Sequence, residues 1–214
     1  MVLIVGSAAA TRWLWRDAGP ARWRGVLLQG PDMALDPRLS PDGNLLAFKA
    51  FENAQTQVAI MKPESGNWSI LTHHRDRGAV DQLSWSPDGS VIYYGRTTDV
   101  PHGVYSVPAL GGEERLVLED ANSPEALPDG SLLVTRLKSG VLGRLYRFWP
   151  ETGRLVEFPL EKPSHSAPAS SRVAPGAREV FTYASPTGGS PGQPLALYAI
   201  DIATNTVRQA NFGN

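Results

Sequence analysis

One four-residue turn recurs along the chain and constrains what the chain can fold into. Ser40-Pro41-Asp42-Gly43 returns as Ser86-Pro87-Asp88-Gly89, and in weaker form as Leu127-Pro128-Asp129-Gly130 and Ala174-Pro175-Gly176. The four prolines stand 46, 41 and 47 residues apart. A period of that length belongs either to four-stranded blades or to paired-helix repeats. The residues after each turn decide between them: LLAFKAF from Leu45, VIYYG from Val91, LLVTRL from Leu132 and EVFTY from Glu179. β-Branched and aromatic runs bounded by turn residues predict strands. The turn has a mechanical logic, because Pro sets φ near about −65°, Asp bonds to its own backbone and Gly supplies a positive φ. Asp42, Asp88 and Asp129 are therefore read as turn residues, not as metal ligands or catalytic carboxylates.

A second apolar run follows at a fixed offset. It begins 15 residues after the turn glycine in the first three repeats and 21 after it in the last: VAIM from Val58, VYSV from Val104, LYRF from Leu145 and LYAI from Leu197. Eight residues on stand Gly66, Gly112, Gly153 and Asn205, each leading into another run: WSILT, ERLVL, RLVEF and TVRQ. Four strands per repeat, joined up and down by tight turns, make one blade of a β-propeller. The predicted fold is all-β, with four-stranded antiparallel blades at roughly 34–79, 80–121, 122–167 and 168–214. The piece from Trp23 to Leu28 stands where a fourth strand would precede the first repeat, yet the last repeat already owns one. We read the chain as an open arc of a larger, six- or seven-bladed propeller; a closed four-bladed ring is the alternative.

Composition narrows the function classes. Twenty-one glycines and 18 prolines in 214 residues exclude a helical bundle, while 42% hydrophobic and 19% charged residues predict a packed core. A net charge of −1 gives no electrostatic case for nucleic acid. With no cysteine there is neither a disulfide nor a thiolate metal site. Residues 1–11 carry no charged side chain, and Arg12, Trp13, Trp15, Arg16, Trp23 and Arg24 follow. That run is too short for a membrane span, although its Trp and Arg flank has the character of a membrane interface. Residues 1–22 are thus either the remaining half of a membrane tether or a packed terminal strand.

LSPDGNLLAF from Leu39, LSWSPDGSVIYYG from Leu83 and GVYSVPALGGEERLVLED from Gly103 resemble the WD-like repeats of the TolB family. The last of these, with MKPESGNWSILTHHRDRG from Met61, is also similar to propellers attached to bacterial serine/threonine protein kinases. The resemblance spans roughly residues 34–214 and implies a non-catalytic scaffold or sensor domain outside the cytoplasm.

Candidate chemistry is sparse. Gly188-Gly189-Ser190-Pro191-Gly192 matches the letters of a nucleophile elbow, but it lies in a Gly/Pro-rich stretch between strands with no helix to follow. His73, His74 and Asp76 are close in sequence, yet adjacent residues leaving a strand point opposite ways, so a solvated loop is favoured over a metal site. No catalytic constellation, metal or cofactor is predicted. Trp68, Trp85, Tyr105, Tyr146 and Tyr198 recur at strand positions and are expected in the core or between blades.

Topology places recognition. First–second and third–fourth turns share one face of a meander and are short and repetitive here. The other connections vary: 52–56, 73–81, 97–102, 138–143 and 185–194. Variable loops on a rigid scaffold are where binding concentrates. Arg75, Asp76, Arg77, Asp99 and His102 are the predicted binding residues, for a protein or peptide partner.

Overall fold

The computed structural model describes residues 30–73, 78–98, 101–137, 142–163, 171–187 and 195–210. Within them the backbone is strand and turn throughout. Blade 1 comprises β1 (Met33–Leu39), β2 (Leu46–Glu52), β3 (Gln55–Met61) and β4 (Trp68–Ile70). Blade 2 comprises β5 (Val80–Trp85), β6 (Val91–Arg96), β7 (Gly103–Pro108) and β8 (Arg115–Glu119). Blade 3 is β9 (Ala121–Ala126), β10 (Leu132–Leu137), β11 (Leu142–Trp149) and β12 (Arg154–Pro163); blade 4 is β13 (Arg172–Val173), β14 (Glu179–Pro186), β15 (Ala196–Asp201) and β16 (Val207–Gln209). Each blade is an antiparallel meander in chain order, and β12 also pairs with the end of β14, at Leu160↔Pro186 and Glu161↔Ser185.

The repeated turn forms as its chemistry requires. Ser40 donates its hydroxyl to Asp42 Oδ1 at 2.6 Å and accepts from Leu45 N at 2.9 Å, while Gly43 takes φ +75°. Ser86, Asp88 and Val91 repeat these bonds at 2.6 and 2.9 Å, with Gly89 at φ +70°. Blade 4 departs from the expected register. The chain-reversing bond runs from Ala177 N to Ala174 O, as Gly43 N bonds Ser40 O, so Ala177 and not Gly176 stands at the motif glycine's place. Gly176 at φ +92° instead occupies the third position of a Pro-Gly turn, and Ala177 is held at φ +56°.

Successive blades pack face to face because strand side chains alternate between the two sides of the sheet. Leu83, Ile92 and Tyr94 of blade 2 bury against Ala47 and Val58 of blade 1. Tyr93 and Val104 meet Leu132, Val134 and Phe148 of blade 3, and Leu133, Leu145 and Phe158 meet Val180, Tyr198 and Ile200 of blade 4. Trp85, Tyr105 and Tyr198 are buried as expected, while Trp68 and Tyr146 are half-buried. Burying a side chain of this size contributes about 2 kcal/mol.

Single hydrogen bonds at equivalent positions lace the inner strands. Trp85 donates its indole N–H to Arg38 O at 2.9 Å, Ala126 N donates to Ser84 Oγ at 2.9 Å, and Val173 N donates to Glu125 Oε1 at 3.0 Å. In each case the donor lies two residues before its motif proline and the acceptor three before the preceding one. No apolar cluster joins blade 4 to blade 1 among the described residues. The far face of blade 4 presents Tyr183 at 48% exposure and Leu195 at 39%. The four blades form an open arc.

Candidate functional site

The two connections that carry the predicted binding residues both lead into blade 2, and a buried polar network there fixes where they leave the scaffold. Arg96, at the end of β6, is 0% exposed. It forms an ion pair of 2.9 Å with the buried Glu114 carboxylate, and its other terminal nitrogen donates to Gly78 O at 2.9 Å. Gly78 lies at the exit of the β4–β5 connection. The guanidinium rests 5.5 Å from the Tyr94 ring centroid and 5.9 Å from that of Tyr105, and the two rings stack at 6.1 Å. Tyr94 donates its hydroxyl to Glu114. Burial opposes the charge on Arg96, yet the Glu114 carboxylate holds its pKa above the usual value. Burial first, and then Glu114, push the Tyr94 phenol up.

The β6–β7 connection is tied down on the same blade. Tyr105 donates its hydroxyl to Pro101 O at 2.6 Å. His102 Nε2 lies 2.8 Å from Asp120 Oδ1, both side chains about half exposed, and Asp120 N donates to His102 O at 3.1 Å. Asp120 is the one-residue link between blades 2 and 3, at φ +53°. His102 is thus a half-exposed surface residue held by a carboxylate. Arg75, Asp76, Arg77 and Asp99 lie outside the described residues, as do His74, His165 and the Gly188–Gly192 stretch. A polar hollow on blade 1, about 190 Å³, lies beside His73, with Glu52, Gln57 and Thr72 in its wall.

Sequence reasoning missed Arg96 and Glu114. An arginine after Tyr93-Tyr94-Gly95 reads as the end of a strand, and nothing local pairs it with a glutamate 18 residues on. A second missed network joins blades 3 and 4 on the opposite, turn-bearing face. Arg147 is buried and donates to Ser131 Oγ at 2.9 Å, to Ile202 O and Asn205 Oδ1 at 2.5 Å each, and to Asp129 Oδ2 at 2.7 Å. Burial works against the Asp129 charge, but Ser131 and Arg147 hold its carboxyl below the usual range. Asp129 is therefore both turn former and blade clamp.

With four-stranded blades stacked in an arc, the architecture is that of a β-propeller. The chain is similar to TolB from Acinetobacter baumannii at 17% identity and a TM-score of 0.61, over 83% of this chain and 43% of that one. It is similar to a putative TolB from Agrobacterium tumefaciens at 16% identity and 0.64, over 86% and 67%. A Mycobacterium tuberculosis puromycin-hydrolyzing peptidase matches at 18% identity and 0.65, over 87% of this chain and 30% of that one. The chain thus spans less than half the length of the first of these and under a third of the last. No family model matches it. These likenesses are likenesses of fold, shared by TolB proteins and by a peptidase.

Proposed function

We propose that the chain is a catalytically inert propeller scaffold, or sensor module, that docks a protein, peptide or envelope ligand outside the cytoplasm. The observation that carries this reading is the contrast between its two faces. One face repeats the same short Pro-containing turns; the other bears connections that differ in length and content, anchored on the rigid blade 2 network. Arg75, Asp76, Arg77, Asp99 and His102 would form the docking surface, with mixed charge suited to a partner of mixed charge. Residues 1–22 would tether the module to a membrane, and residues 23–214 would form the propeller. No cofactor is required by this function.

Site-specific photo-crosslinking in cells tests the reading. Probes at 75, 99 and 102 are expected to capture one common partner, and probes at 42 and 88 on the turn face none. Equal capture from both faces would contradict it. A second reading has one supporting observation, the likeness to a propeller-bearing peptidase: the chain would be the propeller portion of a larger enzyme, hydrolase or receptor-type kinase. Peptidase or kinase activity of the full gene product, lost when its own catalytic nucleophile or base is replaced, would favour that reading.

A further inference from the structure

A groove of about 560 Å³ opens between blades 3 and 4 on the turn-bearing face. Trp149 lies in its wall with a guanidinium against its ring on two counts: Arg147 at 4.8 Å and Arg154 at 4.7 Å from the ring centroid. The two arginines differ in what they have left to give. Arg147 spends its donors on Ser131, Ile202, Asn205 and Asp129. Arg154 is exposed, stacked, and makes no ion pair among the described residues. Arg178, also exposed and unpaired among the described residues, lines the same groove from the blade 4 turn.

The charge of the groove follows from these pairings. Asp129 answers Arg147, and Asp201 is engaged by its own turn, accepting from Thr204 N at 2.7 Å and Thr204 Oγ1 at 2.8 Å. Three arginines against two aspartates leave one net positive charge, in a chain whose net charge is −1. Stacking on Trp149 restrains the Arg154 side chain, so less rotamer freedom is lost when its donors engage an anion. A guanidinium with free parallel N–H donors matches a carboxylate. A single excess charge suits a monoanion; a phosphate dianion would face both aspartates.

We propose that this groove binds a carboxylate side chain of an acidic peptide segment through Arg154 and Arg178. The site lies on the face opposite the variable loops and does not depend on them.

The test is a titration of the full chain, followed through the indole N–H resonance of Trp149 (assigned with Trp149→Phe). The probe is a capped, otherwise neutral tetrapeptide containing one Glu. Saturable movement of that resonance is expected, absent with the Gln peptide, and weakened about tenfold by either Arg154→Gln or Arg178→Gln, the loss of one charge-assisted bond. Both residues are exposed, and a dispersed spectrum verifies that each variant is folded. His102→Ala, in the β6–β7 connection of blade 2, is expected to leave the titration unchanged, so failure here is separable from failure of the docking surface. Equal binding of the Gln peptide, indifference to both substitutions, or tighter binding of a phosphoserine peptide would overturn the proposal.

Discussion

Two alanines occupy backbone conformations that favour glycine. Asn53 and Ala54 form the two-residue β2–β3 turn at φ +51° and +63°, a geometry that Asn-Gly satisfies without strain. Ala177 stands at φ +56° where three other blades place glycine. A non-glycine residue in this region costs about 1 kcal/mol, partly offset because glycine gives the unfolded chain more freedom. Ala54→Gly and Ala177→Gly are each expected to raise stability by about 0.5 kcal/mol, measured by denaturant unfolding. Asp88 makes a second prediction at this scale. The Ser86 hydroxyl, then the Ser90 backbone and side chain, lower its pKa from the model-peptide value to about 2. A carboxyl depressed in the folded state contributes stability that is present above the unfolded pKa of about 4 and lost as pH falls through 2. Asp88→Asn is therefore expected to flatten the fall in stability between about pH 4 and 2 and, through loss of the turn's acceptor strength, to lower stability at pH 7.

Between elements, one hydrogen bond or ion pair does work that no single strand can do. Ser84→Ala leaves the half-buried Ala126 N–H without its acceptor and is expected to cost about 1 kcal/mol. Arg96→Ala removes the partner of a buried carboxylate and is expected to cost about 3 kcal/mol or more, whereas Arg96→Met with Glu114→Gln should cost less. Equilibrium unfolding of the three variants checks the order. The same division explains what was legible in the sequence. Strands such as Val91–Arg96 and turns such as Ser86–Gly89 are written locally, in β-branched runs and in Pro and Gly. β9, Ala121–Ala126, carries a proline and three polar residues, holds a bulge, and gives no strand signal. Arg147 could not be read either, because Ile202 and Asn205 lie more than fifty residues away and are brought together only by blade stacking. The turn in blade 4 misled by one residue because Gly176 is the glycine of a different turn type. His102 was placed on the surface by sequence; Asp120 as its partner was not, since a one-residue link between blades has no signature.

At the scale of the molecule the repeats share one arrangement, and each blade presents one face to its predecessor and one to its successor. In blades 1 to 3 the successor face is covered by the next blade. In blade 4 the corresponding face, with Phe181, Tyr183 and Leu197 in cross-strand register with their neighbours, has no blade against it among the described residues. A contiguous apolar face of this kind drives association when it is left in water. Light scattering coupled to size-exclusion chromatography, over a hundredfold range of concentration, reads this directly. The open arc predicts concentration-dependent association that Tyr183→Lys reduces without changing the β-rich circular dichroism spectrum. A monodisperse monomer at every concentration, identical for wild type and variant, would contradict it.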